Sequence, residues 1–350
     1  MEFKIWFLYN EVNWESDFSD VDKKCVNTKK IVDYLNAVRA NAEKDYGSRD
    51  KFPINMPFVH SKSDFFKKED KEVDVDYFIK QITTPPKSII NQNEKIKKSG
   101  MPNEFVYKTG IPAYRGIVFD IKSNKFYFIN TCPGAGQCAI ICYARKGRYI
   151  QYSNAYDSMT RRLNYLLNFP EKYEEQMYEE LKEKCEEHDA YVGYKPKVIV
   201  RWNDSGDFFA RKYVEISDSV MKRLKREGYN IESYAYTKIP DIKDSSINTT
   251  FSIGGKESNL SKVKKDEKKS EIIPKELFKD LNLLKFSDEK ELKKRVSDEY
   301  RIPIDKIITY DELLSTTPAE EPKWHVIVTP NDGDDAAFRK DVKLIFLTQH

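Results

Sequence analysis

The run Lys197–Trp202 (KVIVRW) constrains the fold of this chain more than any other segment. It is short, apolar and rich in β-branched residues, which is typical of a buried strand in a parallel sheet. A loop at residues 203–209 and a predicted helix at residues 210–227 follow it, and another strand is predicted at residues 231–236. Because this order of strand, loop, helix and strand recurs, we expect an α/β fold, namely a mainly parallel barrel or partial barrel with helices outside.

The remaining predicted elements define two regions. Residues 1–87 form an N-terminal extension that is irregular apart from one strand at residues 3–9 and one helix at residues 28–42. Residues 88–350 form a barrel-like catalytic domain with a Lys-rich insertion near residues 256–275, which we expect to be a solvated loop. Further strands are predicted at residues 116–121, 125–130, 249–253, 324–329 and 342–347, and further helices at residues 154–167, 171–188 and 289–299.

The composition excludes several classes of protein. The chain has 60 Lys and Arg against 57 Asp and Glu, and its 13% of aromatic residues supply apolar bulk for a core. Its longest apolar runs, such as residues 139–144, are far shorter than the roughly 20 residues that a membrane-spanning helix needs. The N-terminus lacks the pattern of an export signal. We therefore expect a cytoplasmic protein that does not bind a membrane.

Three of the five cysteines lie close together, in the spacing C-x5-C-x3-C: Cys132, Cys138 and Cys142. Clustered cysteines in a chain without an export signal favour a metal over disulfides. Small residues in the first gap allow a sharp bend, and the i, i+4 spacing of the second pair puts two sulfur atoms on one face of a helical turn. Three interpretations are open: buried core cysteines, a zinc site whose fourth ligand comes from the helical face that carries Cys185 and His188, or a [4Fe–4S] cluster.

The [4Fe–4S] cluster is the favoured interpretation. With three protein ligands it leaves one iron open to a small molecule. S-adenosylmethionine carries amino and carboxylate groups that such an iron can bind, and reduction of the complex generates a carbon radical. We therefore expect a [4Fe–4S] cluster and S-adenosylmethionine as cofactors, with zinc as the alternative. The usual spacing in radical enzymes, C-x3-C-x2-C, differs from the spacing found here.

The loop after the strand at residues 197–202 supplies carboxylates. Asp204 and Asp207 flank Gly206, which lets a ligand approach the backbone closely. The alternative interpretation is a capped turn, with Asp207 as the N-cap of the following helix. Lys238 ends a later predicted strand with a polar side chain. The candidate catalytic residues are Asp204, Asp207 and Lys238.

The same loop is the expected cofactor site. In a radical enzyme, a small and acidic turn after the second strand receives the amino group of the methionine moiety. The candidate cofactor-binding residues are Tyr143, Ser205, Gly206 and Asp207, and the candidate metal ligands are Cys132, Cys138 and Cys142.

Four segments together resemble the bacteriophage family known as gene product 88: residues 131–149 (TCPGAGQCAIICYARKGRY), 201–209 (RWNDSGDFF), 234–238 (YAYTK) and 328–341 (VTPNDGDDAAFRKD). The resemblance covers approximately residues 88–350. It implies a phage setting, and hence the host cytoplasm, but no particular reaction. The placement of the two loops is also similar to that in radical S-adenosylmethionine barrels, which would assign the three cysteines to a cluster and residues 205–207 to the cofactor.

Residues 204–208 (DSGDF) also resemble the D-S-G-G-F turn of guanine transglycosylases, including phage enzymes that place deazaguanines into DNA. This resemblance implies a zinc-containing base-exchange enzyme in which Asp204 contacts the base. The C-x-C-x2-C zinc pattern of that family is missing, and the cysteines precede the aspartate instead of following it. A third hypothesis is a non-enzymatic binding protein stabilised by zinc.

The favoured hypothesis is a phage-type radical S-adenosylmethionine-like enzyme that modifies a nucleotide or nucleic acid. Phages commonly modify their own DNA. Basic and aromatic residues also follow the cysteines, as expected where a protein neutralises phosphates; these residues are Arg145, Lys146, Arg148 and Tyr149.

Overall fold

The computed structural model describes most of the chain: residues 14–44, 63–65, 73–97, 99–100, 103–145, 149, 152–189, 196–240, 242, 245–264, 267–300, 302, 304–316, 324–327 and 335–348. The strand predicted at residues 3–9 lies outside these residues, as do Lys146, Arg148 and residues 328–334 of the last segment that resembles the gene product 88 family.

The strands and helices alternate over most of the described chain. The strands are β1 (Lys23–Val26), β2 (Glu104–Lys108), β3 (Arg115–Asp120), β4 (Lys125–Asn130), β5 (Lys197–Trp202), β6 (Ile231–Thr237), β7 (Asn248–Ser252), β8 (Lys269–Ile273), β9 (Lys306–Thr309), β10 (Trp324–Ile327) and β11 (Val342–Thr348). The helices are α1 (Trp14–Asp17), α2 (Thr28–Lys44), α3 (Val75–Thr83), α4 (Glu94–Lys97), α5 (Cys138–Ile141), α6 (Ser153–Asn168), α7 (Pro170–Asp189), α8 (Arg211–Arg226), α9 (Glu257–Leu260), α10 (Lys275–Ser287), α11 (Glu289–Tyr300), α12 (Tyr310–Leu314) and α13 (Asp335–Phe338). Among the described helices, none combines the length and the apolar character needed to cross a membrane.

The centre of the fold is an eight-stranded sheet with the order β2-β5-β6-β7-β8-β11-β10-β9. Each neighbouring pair in this sheet is parallel. The prediction of an α/β fold with a parallel sheet is therefore confirmed. Among the described residues, no pairing joins β9 to β2, so these two are the edge strands of the sheet.

The two faces of the parallel sheet pack into different hydrophobic clusters. On one face, Val198 and Val200 of β5 pack with Leu181 of α7 and Val220 of α8 in the largest cluster. On the other face, Ile199 of β5 belongs to a second cluster that also draws residues from β2, β6, β9 and β11. Burial on both faces explains the nearly continuous apolar run of β5.

A second, antiparallel sheet has the order β1-β4-β3. β3 and β4, which correspond to the strands predicted at residues 116–121 and 125–130, form a hairpin and do not belong to the parallel sheet. Because the cysteine loop comes directly after the strand predicted at residues 125–130, we expected it to follow a strand of the main sheet; that expectation is wrong, since the loop follows β4 of this small sheet. The described part of the N-terminal extension packs on this small sheet, because Ile31 of α2 and Phe78 of α3 share a cluster with Ile117 and Phe126.

The Lys-rich stretch at residues 256–275 is only partly a surface segment. Its residues 269–273 form β8, which lies inside the parallel sheet between β7 and β11. Lys269 is compatible with this position because its Nζ donates to the carbonyl oxygens of Lys264 at 2.8 Å and Glu267 at 3.0 Å. The expectation of a solvated loop is therefore wrong for these five residues.

Candidate functional site at the carboxyl edge of the sheet

The loop at residues 203–209 turns sharply at the carboxyl end of β5. Gly206 has a positive φ of 80°, and a Cβ at this position would overlap the side chain of Ile111. The chain that follows β2 holds the loop in place, since Asp204 N donates to Thr109 O at 2.9 Å and Ile111 N donates to Ser205 O at 3.0 Å. The ends of these two neighbouring strands therefore form one packed unit.

Asp204 lies at the centre of a buried polar cluster. Its Oδ2 accepts hydrogen bonds from Lys108 Nζ and from the hydroxyl of Tyr149, and Arg201 Nη2 lies 3.5 Å from its Oδ1. Burial alone would raise the pKa of Asp204, but the positive charges of Arg201 and Lys108 outweigh it and lower the pKa. Asp204 is therefore a carboxylate anion held between two cations.

Two tyrosines complete this cluster. Burial and the charge of Asp204 raise the pKa of Tyr149 well above 10, so its phenol stays protonated and donates to the carboxylate. The hydroxyl of Tyr143 donates to the backbone carbonyl of Asp204 and also accepts from Arg201 Nη2 at 3.3 Å. Tyr143, a predicted cofactor-binding residue, thus connects the cysteine loop to the Asp204 cluster.

Asp207 has a different environment from Asp204. Its Oδ1 accepts from Thr237 Oγ1 at 2.6 Å and from Phe208 N at 2.8 Å, and its Oδ2 accepts from Lys238 N at 2.9 Å. Burial raises the pKa of Asp207, and these donors oppose the shift. The alternative interpretation of Asp207 as a helix N-cap is wrong, because the N-cap of α8 is Ala210.

Lys238 lies at the end of β6, close to Asp207 and the cysteine loop. Its Nζ donates to Ser252 Oγ at 2.9 Å, at the end of the neighbouring strand β7. A Cβ at Gly134 would lie only 2.6 Å from Lys238 O, so this close approach requires the glycine. The structure therefore places the three predicted catalytic residues at the same edge of the sheet.

The cysteine loop, residues 131–145, runs across this edge although it starts from the antiparallel sheet. Asp207 N donates to Thr131 O at 2.9 Å, Cys138 N donates to Gly254 O at 3.1 Å, and Lys256 N donates to Gly134 O at 2.9 Å. The loop therefore contacts the segments that follow β5 and β7. The cysteine loop is part of the long connection between β2 and β5, and it reaches the carboxyl edge of the parallel sheet there.

The three cysteines of this loop are half-buried. Cys132 Sγ accepts a hydrogen bond from Tyr114 N at 3.2 Å. Burial raises the pKa of Cys132, and the charge of Asp207 and the nearby Cys142 and Cys138 raise it further. Within the described part of the chain, no group of three or more His, Cys, Asp or Glu side chains is arranged to hold a metal ion.

The residues suggested for a fourth zinc ligand have other surroundings. Cys185 is buried in the largest hydrophobic cluster. His188 stacks on Phe105 with ring centroids 3.5 Å apart, and its Nε2 lies 2.9 Å from the hydroxyl of Tyr107. Both residues therefore pack against the sheet on α7 and do not join the cysteine loop.

Neither of the two cations that neutralise Asp204, nor a third cation near them, was predicted from the sequence. Arg162 is buried beside this region, where its Nε donates to Ser88 O at 3.2 Å and its Nη1 donates to Gly110 O at 3.4 Å. A basic residue at or next to the carboxyl end of a strand indicates a candidate site residue, and both Lys108 and Arg201 lie at such positions. Lys108 was missed because no strand was predicted over residues 104–108.

Comparison with known proteins adds a family assignment. No curated protein and no solved structure matches the chain. The family model described as gene product 88 matches residues 87–337, which is well over half of the chain and includes the cysteine loop, the Asp204 loop and Lys238. The chain therefore belongs to the gene product 88 family.

Proposed function

We propose that this chain is an iron–sulfur enzyme of the radical S-adenosylmethionine type, with its reaction at the carboxyl edge of the parallel sheet. The observation that carries the proposal is the pair of contacts that joins the two loops. Asp207 N donates to Thr131 O at 2.9 Å, and the hydroxyl of Tyr143 donates to the carbonyl of Asp204. Thiols and carboxylates from separate parts of the chain thus share one small region.

The order of these parts supports the same proposal. β2 and β5 are neighbouring strands at one side of the sheet. The cysteine loop lies in the connection that follows β2, and the loop at residues 203–209 follows β5. Parallel α/β sheets bind ligands at the carboxyl ends of their strands, which is where both loops lie.

The donor chemistry of the cysteine loop suits a cluster with three cysteine ligands. Cys132 Sγ already accepts an amide hydrogen bond, a contact that tunes cluster sulfur atoms, and Cys138 and Cys142 bracket the single turn α5. Because the three thiols are not arranged as a metal site, the proposal requires Cys138 and Cys142 to approach Cys132 on cluster binding. The bound cluster would supply the electron that cleaves S-adenosylmethionine.

The protein side chains then have separate roles. Ser205 is the candidate for direct contact with the cofactor, because its hydroxyl is buried and has no hydrogen-bond partner among the described residues. Asp207 is a positioning residue that holds the loop in place, since its carboxylate oxygens already accept hydrogen bonds from Thr237 Oγ1 and Lys238 N. Asp204 and Lys108 supply a fixed negative and a fixed positive charge that can orient a polar substrate.

The proposal includes a partial barrel as the form of the parallel sheet. Val106 lies on β2 and Ile308 on β9, which are the two edge strands, yet both belong to one hydrophobic cluster. A flat sheet of eight strands would separate its edges by about 34 Å, given the roughly 4.8 Å between neighbouring strands. Curvature that brings both edges to a shared core is the simplest explanation of this cluster.

Metal analysis after anaerobic purification tests the proposal. We expect about four iron and four sulfide ions per chain, and a large loss of both in Cys132→Ser. Cys25→Ser is the matched control, because Cys25 is exposed on β1 and should not affect the iron content. A wild-type chain that takes up no iron under reducing, oxygen-free conditions would overturn the proposal.

The same measurement separates the two alternative functions. About one zinc per chain and no iron would favour the deazaguanine transglycosylase-like enzyme or the zinc-stabilised binding protein. Asp204→Asn should then abolish base exchange at unchanged zinc content if Asp204 contacts the base. Only the radical enzyme is expected to cleave S-adenosylmethionine after reduction.

A further inference from the structure

We infer that the Asp204 cluster, which consists of Lys108, Tyr143, Tyr149, Arg201 and Asp204, binds a nucleoside monophosphate unit. The phosphate is bound by the cations of the cluster, and the base stacks on its tyrosine rings. The binding follows from the cluster itself, whereas the assignment of the nucleotide as the molecule that reacts rests on the function proposed above.

The charged side chains of the Asp204 cluster suit a phosphate. Lys108 Nζ and Arg201 Nη2 both contact the carboxylate of Asp204. Two cations and one carboxylate leave these three side chains with one positive charge together. Lysine binds phosphate as a compact point charge, and the guanidinium of arginine can donate two parallel hydrogen bonds to phosphate oxygens. An anionic group is therefore favoured beside Asp204 in spite of the negative charge of Asp204.

A third buried cation lies next to the Asp204 cluster. Arg162 Nη1 donates to the backbone carbonyl of Gly110 at 3.4 Å, and Gly110 follows Lys108 by two residues. Among the described residues, no carboxylate forms an ion pair with Arg162. Burial lowers the pKa of Arg162, while the charges of Glu180 and Asp204 are among the influences that raise it. Arg162 thus adds to the positive potential that an anion meets here.

Tyrosine rings border the cations of the cluster. Lys108 Nζ lies 5.5 Å from the ring centroid of Tyr149, and the guanidinium carbon of Arg201 lies 5.7 Å from that of Tyr236. The ring centroids of Tyr143 and Tyr149 are 5.9 Å apart. Aromatic rings beside cations suit a nucleotide, because the base stacks on a ring while the phosphate contacts a cation.

The Asp204 cluster also reaches the solvent. Tyr143 is 42% exposed, and the side chains of Lys108, Arg201 and Asp204 keep 11%, 10% and 8% of their surface exposed. Tyr143 directly follows Cys142 in the chain. A nucleotide that stacks on Tyr143 would therefore lie next to the cysteine loop, where the proposed reaction takes place.

Isothermal titration calorimetry with the full chain tests this inference. The probes are thymidine monophosphate, thymidine, ribose 5-phosphate and inorganic phosphate. We expect thymidine monophosphate to bind at least about tenfold more tightly than each of the other three, because it alone carries both a base and a phosphate. Equal affinities for thymidine monophosphate and ribose 5-phosphate, or no binding of either, would overturn the inference.

A further probe distinguishes two sources of the same unit. A thymidine trinucleotide with a 5′ phosphate carries the nucleoside monophosphate at the end of a strand. Binding as tight as that of thymidine monophosphate would identify a strand end as the ligand, and weaker binding would identify the free nucleotide. Both results support the inference, because the recognised unit is the same.

An arginine variant tests the contact with the phosphate. Arg201→Gln should weaken the binding of thymidine monophosphate by about tenfold or more. The matched control is Arg223→Gln, because Arg223 also pairs with a carboxylate, that of Glu175, and also lies over a tyrosine ring, that of Tyr178. Urea unfolding checks that both variants are folded. Equal losses of affinity in the two folded variants would overturn the inference.

Variants of Tyr143 test the stacking at a position that is partly exposed. Tyr143→Ala should weaken the binding of thymidine monophosphate by about fivefold, whereas Tyr143→Phe keeps the ring and should retain most of the affinity. Phe286→Ala, which removes a 78% exposed ring on α10, is the control and should have no effect. A Tyr143→Ala variant that binds as tightly as the wild-type chain would overturn the inference.

Iron content and cleavage of S-adenosylmethionine are measured in parallel on the wild-type samples. Iron and cleavage without nucleotide binding would overturn this inference alone. Nucleotide binding without iron would overturn only the proposed enzyme class, since the Asp204 cluster would still bind its ligand.

Discussion

Lys108 and Asp204 form a buried ion pair between the ends of two neighbouring strands, although they are 96 residues apart in the sequence. The side chains of Lys108 and Asp204 are 11% and 8% exposed, so neither charge is well hydrated. Each of these two charges is therefore stabilised mainly by the other, and removing one of them should destabilise the fold.

Asp204→Asn should lower the free energy of unfolding by about 3 kcal/mol, because it leaves the Lys108 ammonium buried without a carboxylate. Urea unfolding of the wild-type chain and the variant measures this difference. Glu94→Gln is the control, since it breaks an ion pair with Lys97 whose side chains are 72% and 54% exposed and should cost at most about 1 kcal/mol. Similar losses in both variants would contradict the buried pair.

Thr237→Val should destabilise the fold by about 1 to 2 kcal/mol, because Asp207 loses the hydroxyl donor at 2.6 Å while the side-chain shape is kept. Thermal and urea unfolding are suitable measurements. Thr84→Val removes an exposed hydroxyl that donates to Lys80 O, and a change below about 0.5 kcal/mol is expected there. A neutral Thr237→Val variant would mean that the contact with Asp207 is dispensable.

Gly206→Ala should be much more harmful than Gly228→Ala. Both glycines have positive φ angles, 80° and 91°, so both variants carry backbone strain of about 1 to 2 kcal/mol. At Gly206 the new Cβ also meets Ile111, whereas nothing lies within 4 Å of a Cβ at Gly228. We expect an additional loss of about 1 to 3 kcal/mol for Gly206→Ala in urea unfolding. Equal losses would show that Ile111 moves away without cost.

Asp157 should make stability fall as the pH rises from about 4 to about 6. Burial raises the pKa of Asp157 from 3.8 to about 6, even though Ser63 Oγ and Asp64 N donate to its carboxylate. In this window the folded state binds the proton that the unfolded state has released, so increasing pH favours unfolding.

Unfolding free energies at about pH 4 and about pH 7 check this prediction. The Asp157→Asn variant should lack one component of the pH dependence, worth up to about 3 kcal/mol, that is present in the wild-type chain. Asp298→Asn, at an exposed position of α11, should keep the full dependence. An unchanged pH profile in Asp157→Asn would contradict the shifted pKa.

Sequence patterns predicted the regular elements well where the apolar pattern was strong. The predicted strands at residues 125–130 and 197–202 match β4 and β5, and the predicted helix at residues 210–227 matches α8 to within one residue at each end. β8 was missed because Lys268 precedes it and Lys269 begins it, and two lysines at the start of a strand resemble a charged loop. Hydrogen bonds of these lysines to backbone carbonyls, which allow burial, exist only in the folded chain.

The candidate site was predicted in part. The sequence indicated Asp204, Ser205 and Lys238, because polar and small residues follow strands in these segments. The sequence could not reveal that the carboxylate of Asp207 accepts three hydrogen bonds, because one of the donors, Thr237, lies on another strand. The pairing of Lys108 with Asp204 was equally hidden, because it depends on the register between β2 and β5.

The position of β11 has a consequence for any attempt to shorten this protein. The family match ends at residue 337, yet β11 (Val342–Thr348) lies between β8 and β10 and pairs with both. Truncation at that boundary would remove an interior strand, detach β9 and β10 from the other five, and expose the edge of β8. The unit that relatives share in sequence is therefore smaller than the unit that must fold together.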